Sequence, residues 1–450
     1  MINSFEWKGK WRIPDTEIWE NGTLYFSQDQ GVKLFIDGSS KDTFKNDFFA
    51  EIISGYTQLM DNITLVDCHR VTYFITQNDT SSYHVYWCSY IIQGKLFLKK
   101  SDISFKKIKT RLFNLIDWTN TSGIEVYKDE GNNEVLIKYS QPSNIEFAIN
   151  EKAKGNIIFK SYWEGVFKNG QTVIIKDDCW VEIVYHSEIY FADILKDLTI
   201  FHNLISLMIN VLSYPISISF ESHVSANSDS TTEDKALNCY YQDDYYHQSE
   251  IKNDFLHLVN YERIQNLFSS VVQKWFDVYN IIEPSLRLLL FSFQNKEAFK
   301  VETFLDIVRA IETFHIRTYT YSEDYNQKLK DKIERIINDI KLEKDKTYVR
   351  ENLMDKFRPP LKDRLLQLLK KYDNNFLRKF INDREQFCFN SFKSRNYYTH
   401  LDPEQKQFAL EGYDLYDLKI KLLGLLFSSI FSYIGIPKET FEDKLELLYN

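Results

Sequence analysis

The sequence predicts an α+β chain of more than one domain, an N-terminal antiparallel β-sandwich or barrel-like domain followed by a C-terminal all-α helical bundle. Three observations carry this. The 450 residues exceed what one ordinary core holds. Up to about residue 188, apolar residues come in short β-branched and aromatic runs between turn signals. From about Asn253 onward they recur at i, i+3, i+4 and i+7 instead. The boundaries that follow are 1–223 for the β-rich domain, 224–252 for a polar linker and 253–450 for the helical domain.

Along the β-rich part the runs are TLYF after Asn21-Gly22, VKLFIDG, ITLV, VTYFIT, HVYWCSYII, IEVY, EVLIKY, NIIF, TVII and CWVEIVY. Their spacing of about 8 to 15 positions suits hairpin-linked strands. A helix is expected near Phe191 to Leu212, and a last strand in PISISFES. The stretch HVSANSDSTTEDKALNCYYQDDYYHQSE is polar, acidic and aperiodic, which reads as the linker. Its tyrosines suit either a partner-binding loop or packing on the chain itself.

In the helical part, IVRAIETFHIRTY, LKDRLLQLLKKY, NFLRKFINDREQFCFNSFK and YDLYDLKIKLLGLLFSSIFSYIG carry the helix period. The apolar run Leu422 to Ile434 has 13 residues, short of the roughly 18 that span a bilayer, and reads as a buried helix. Gly435 and Pro437 terminate it.

Composition bounds the function. A hydrophobic content of 44% with 16% aromatics excludes a disordered chain, and 14 glycines and 8 prolines exclude a fibrous one. The N-terminus lacks the apolar core of a signal peptide, and Cys68, Cys88, Cys179, Cys239 and Cys388 are odd in number and scattered. These features predict a reducing cytoplasm, with neither membrane nor metal. The net charge of −9 argues against wholesale polyanion binding, yet 328–395 holds 19 Lys/Arg against 11 Asp/Glu, a local +8 that leaves −17 elsewhere. That segment is where the phosphates of a polyanion are expected to land, the competing reading being a set of amphipathic helices with lysine-rich outer faces.

The stretch SRNYYTHLDP, Ser394 to Pro403, concentrates the chemistry. A helix starting near Asn375 is expected to end near His400, because Asp402-Pro403-Glu404-Gln405 reads as a new start: an N-cap, a proline at the first position and a capping-box glutamine. His400 then sits in a last turn, where the helix dipole favours a cation. Asn396 and His400 share a face, whereas Arg395 and His400 diverge by roughly 140° on an ideal helix. Arginine offers a fixed fork for phosphate, histidine moves protons and asparagine orients either. With no metal-ligand spacing or phosphate-cradling glycine loop in the sequence, these groups suit metal-free RNA cleavage, in which the 2′-OH attacks the neighbouring phosphate. The bare R-x4-H spacing is weak alone, and a solvated helix end is the competing reading.

R-N-Y-Y-T-H in a C-terminal helical bundle resembles the R-x4-6-H signature of HEPN ribonucleases, and the layout resembles ApeA-type antiphage proteins. WKGKWRIPDTEIWENGTLYFSQDQGVKLFIDG is similar to the start of the ApeA N-terminal domain. The resemblance implies a dimerising, RNA-cleaving HEPN unit acting in abortive infection, with a sensing or regulatory β domain and a phage-derived trigger. It carries catalytic roles onto Arg395, Asn396 and His400, and a supporting role onto Glu312; no cofactor is implied. A homodimer or higher homo-oligomer is expected, and Leu415, Leu418, Leu422 and Leu425 offer a stripe for that contact or for the core. His315 and Arg317 are weaker phosphate-binding candidates, while His69 and His84 read as structural. The alternative is a non-catalytic RNA- or protein-binding HEPN module.

Overall fold

The alternating runs become strands in the computed structural model, which describes residues 4–12, 17–38, 48–75, 82–129, 131, 134–165, 173–222, 235–243, 256–294, 300–320, 323–351 and 359–449. The strands are β1 (Ser4–Arg12), β2 (Trp19–Ser27), β3 (Gly31–Gly38), β4 (Phe49–Thr57), β5 (Asn62–Ile75), β6 (Ser82–Gln93), β7 (Ser104–Leu112), β8 (Ile124–Asp129), β9 (Glu134–Tyr139), β10 (Ile145–Asn150), β11 (Ala153–Gly165), β12 (Val173–Tyr190), β13 (Pro215–Ser222) and β14 (Lys235–Tyr240). The helices are α1 (Leu115–Thr119), α2 (Phe191–Ile209), α3 (Tyr261–Ile264), α4 (Phe268–Gln294), α5 (Val301–Thr318), α6 (Glu323–Asp339), α7 (Glu343–Val349), α8 (Leu361–Lys371), α9 (Asn375–Phe380), α10 (Arg384–His400) and α11 (Gly412–Tyr433). The chain divides into two compact units, Met1–Phe276 and Asp277–Asn450.

In the first unit, six antiparallel strands close on themselves in the order β6-β3-β2-β1-β4-β5, with β5 returning to β6. The expected sandwich or barrel is therefore a six-stranded barrel with additional strands. Alternation drives the closure: Leu24, Phe26, Leu34, Ile36, Leu65 and Ile91 point into one core around Trp11, which is wholly buried. Gly55 makes room for that indole, since a Cβ there would lie 2.1 Å from its ring.

One edge of β6 pairs with β5 along its length. Its other edge passes from β3, whose pairing runs as far as Cys88, to β14, whose pairing begins at Ile91. From β14 the sheet continues through β13, β7, β12, β11 and β10. Against this extension packs α2, one-sided in its first half and buried on every side from Ile200 to Ile209, with Phe147 of β10 stacked on Phe201 at 5.1 Å. Trp275 Nε1 donates to the Ile200 carbonyl at 2.7 Å, so the first turns of α4 belong to this core.

The reading of 224–252 as a linker is corrected at its centre. Residues 235–240 form β14, which joins β13 to the barrel strand β6. Leu237 and Cys239 are buried there, a two-residue alternation too short to stand out from the polar sequence around it. Residues 223–234 and 244–255 lie outside the described residues.

The second unit is a helical bundle in which α5, α8, α10 and α11 pack together. Phe304, Ile311, Phe314, Leu365, Leu368 and Phe427 fill its centre. Gly424 lets α11 approach α9 closely, because a Cβ there would meet the Phe376 ring at 2.1 Å. Asn374 caps α9 by accepting from Leu377 N at 3.0 Å, and it donates to Ser428 Oγ at 2.7 Å. The helix expected from Asn375 to His400 is thus two helices. The Asp383 side chain caps a second start by accepting from Gln386 N at 2.9 Å. Leu415, Leu418, Leu422 and Leu425 are all buried in the bundle, so the stripe offered for a subunit contact serves the core. Among the described residues, no helix is long and apolar enough to cross a membrane.

Candidate active site

Helix α10 ends at His400 as the sequence predicts. Leu401 adopts the left-handed conformation (φ 52°) and its N–H donates to the Tyr397 carbonyl, an αL cap on a residue other than glycine. Asp402 then accepts from Glu404 N at 3.0 Å and Pro403 opens a 3-10 turn, Pro403–Phe408, where an α-helical restart was expected. Gln405 completes no capping box; its Oε1 accepts from Lys393 Nζ at 3.1 Å. The returning chain is clipped to α10 by Ser394 Oγ, which accepts from Leu410 N at 3.0 Å, and by Tyr398 Oη, which donates to the Leu410 carbonyl at 2.9 Å.

On the inner side of α10, Arg395 Nη1 donates to Asn396 Oδ1 at 3.0 Å and Nη2 lies 3.4 Å from Glu312 Oε2. The other carboxylate oxygen of Glu312 lies 3.3 Å from Arg364 Nη1, and Arg364 Nε donates to the Pro359 carbonyl at 2.6 Å. One carboxylate on α5 is therefore shared by guanidinium groups from α8 and α10, leaving one positive charge over. Arg364 is buried, while a third of the Arg395 side chain stays exposed, so Arg395 is the cation able to meet a phosphate.

One turn along, His315 Nε2 hydrogen-bonds Gln367 Oε1 at 2.7 Å and its ring stacks on Tyr319 at 4.7 Å. Burial pushes this imidazole down to about 4, against the opposing hydrogen bond and with help from Arg364 and Lys371. A buried neutral ring is unsuited to phosphate, which corrects the weaker candidacy of His315. The guanidinium of Arg317 donates to the Asn280 and Ile281 carbonyls at 2.9 and 2.5 Å, a use that holds helices together.

The structure brings together Arg395, Asn396 and Glu312 and leaves His400 apart. His400 is exposed, and its ring makes no hydrogen bond, ion pair or ring contact with any described residue. The sequence reading missed Arg364 and Gln367. The signal for Arg364 was present: a charge at i+3 from Leu361 and i−4 from Leu368 falls on the apolar stripe of its helix. The basic excess of 328–395 is partly neutralised from outside the segment, since Lys379 pairs with Glu446 and both Arg364 and Arg395 face Glu312.

Comparison with known proteins adds the family. Residues 6–275, well over half of the chain, match the model of ApeA N-terminal domain 1. The chain belongs to the ApeA family. Residues 305–440 match the Apea-like HEPN model, so Glu312, Arg364, Arg395, Asn396 and His400 all lie inside the HEPN region of this ApeA protein. The pairing of these domains is that of a defence-related nuclease module. No curated protein and no solved structure matches the chain significantly.

Proposed function

We propose that this ApeA protein is a metal-independent endoribonuclease of a bacterial antiphage system acting by abortive infection in the cytoplasm. In this reading His400 takes the proton of an RNA 2′-OH, that oxygen attacks the adjacent phosphorus, and the 5′-oxygen of the next nucleotide leaves with a proton returned by a histidine. Arg395 stabilises the charge developing on the phosphate, and Asn396 fixes its guanidinium. The observation that carries the reading is the Glu312–Arg395–Asn396 arrangement, which holds one partly exposed guanidinium five residues before an exposed helix-end histidine.

A single chain leaves His400 apart from Arg395, and this favours a composite site. Two copies across a twofold axis would supply a base, an acid and two guanidinium groups around one phosphate. Leu401, at the end of α10, and Phe408 and Tyr413, in the chain that follows it, are exposed and replace the buried leucine stripe as the apolar material for that contact. The β domain serves as sensor or restraint and answers a phage-derived trigger.

The isolation of His400 equally suits the alternative of a non-catalytic RNA- or protein-binding HEPN module. Incubating RNA with the full chain in EDTA separates the two. Cleavage by wild type and a loss of at least about a hundredfold in His400→Ala is the expected result; intact RNA under both would favour the binding module.

A further inference from the structure

The outer face of the barrel carries a row of side chains that the nuclease reading does not use. Cross-strand register places Tyr25 of β2 opposite Lys33 of β3, Lys33 opposite Trp87 of β6, Trp87 opposite His69 of β5, and His69 opposite Phe49 of β4. Five neighbouring strands thus present aromatic, cation, aromatic, imidazole, aromatic in one line. Trp87 is 54% exposed and Phe49 45% exposed, large rings left in solvent at outward-facing positions that a polar side chain would fill at less cost. On β1 the line ends in an acid, Glu6, opposite Tyr25.

The members hold one another in place. Lys33 Nζ lies 5.5 Å from the centre of the Trp87 ring, and the His69 and Phe49 rings are 4.8 Å apart. The Tyr25 ring is set edge-on against Phe35 at 5.3 Å. Beside Phe49, the guanidinium of Arg70 covers Phe48 at 5.3 Å. Lys33, His69 and Trp87 also line a groove of about 660 Å³.

We infer that this barrel face is a stacking platform for single-stranded RNA. Strands stand roughly 4.8 Å apart, so the aromatic rings recur about every 9.6 Å, with Lys33 in the first interval and the His69 imidazole in the second. A single strand offers the complementary order: flat bases that stack on rings, joined by phosphates that meet the Lys33 ammonium in one interval and a ring N–H of His69 in the other. A peptide reproduces this alternation only where aromatic and acidic residues happen to alternate, whereas every nucleotide of a single strand repeats it. A duplex keeps its bases stacked internally, so the platform discriminates against it.

The test uses the full chain carrying His400→Ala, so that bound RNA survives, and a fluorescein-labelled 12-nucleotide oligouridylate as probe. Trp87→Ala and Phe49→Ala are each expected to weaken binding about tenfold, the loss of one stacked base. Lys33→Glu, which removes no ring, serves if either aromatic variant misfolds, and it is expected to weaken binding and flatten its salt dependence. Photocrosslinking with 4-thiouridine in the probe is expected to label β2, β4 or β6. Undiminished binding in all three variants, or crosslinks confined to α10, would overturn the platform. Because cleavage by the wild-type chain is measured separately, loss of the platform and loss of the nuclease reading are distinguishable.

Discussion

Glu312 holds Arg395 at 3.4 Å through one carboxylate oxygen and Arg364 at 3.3 Å through the other, so a single acid on α5 fixes both the exposed guanidinium of the candidate site and the buried one behind it. Replacing it has two consequences. Glu312→Gln removes the charge that compensates Arg364 in a largely dry setting, and should cost on the order of 2 kcal/mol in urea unfolding. It should also lower cleavage, because Arg395 loses one of its two anchors. Arg364→Met in the same chain should recover stability without recovering cleavage; if it restores both, Glu312 acts through the fold alone.

His400→Ala should leave the unfolding free energy within about 0.5 kcal/mol of wild type, since the ring is exposed and contacts no described residue. Cleavage should fall by roughly two to four orders of magnitude, the usual loss for a general acid or base. Arg395→Lys should rescue little, because lysine keeps the charge but cannot bridge Asn396 and Glu312 at once. Full activity in His400→Ala would remove histidine from the mechanism.

Leu401 offers a test of the dimer. It is a leucine in the left-handed region, 66% exposed, at a position where glycine is the ordinary choice. Leu401→Gly should stabilise the isolated chain by about 0.5–1 kcal/mol. If the end of α10 is a subunit contact, the same change should weaken self-association in sedimentation and lower cleavage per chain. Mixing excess His400→Ala chain with wild type should then depress activity below simple dilution, whereas strict proportionality to the wild-type fraction would reject a shared site.

Stability should fall in acid through the buried histidines. Burial pushes His84, His202 and His315 each down to about 4, while an unfolded imidazole titrates near ~6.5. Between those values the unfolded chain binds the protons, so the stability contributed is complete above ~6.5 and is lost as pH falls toward about 4. The loss is on the order of 3 kcal/mol per ring. Urea midpoints across that window check it. His315→Gln should lessen the slope by about one proton; an unchanged slope would mean that His315 takes up its proton without unfolding.

Much of this architecture was legible because the signals are local. The alternation of ENGTLYFS, the period of IVRAIETF and the Asp402-Pro403 stop beyond His400 each act within a turn or a strand, and each appears where the sequence puts it. The break between α9 and α10 was missed because Asp383 sits within a stretch whose apolar period continues across it. β14 was missed because two buried residues in a polar segment carry too little pattern.

The sequence by itself determined the order of a strand-rich part and a helical part, the end of α10 and the residue types gathered there. Such features rest on backbone propensity, capping and side-chain period, which need only near neighbours in the chain. Tertiary structure alone decided that β5 closes on β6, that Leu415 to Leu425 turn inward, that Tyr25, Lys33, Trp87, His69 and Phe49 fall in one line, and that Glu312 reaches Arg395 from 83 residues away. The physical reason is that pairing register and the choice between core and surface depend on which faces of distant elements compete for burial. No local window contains that competition.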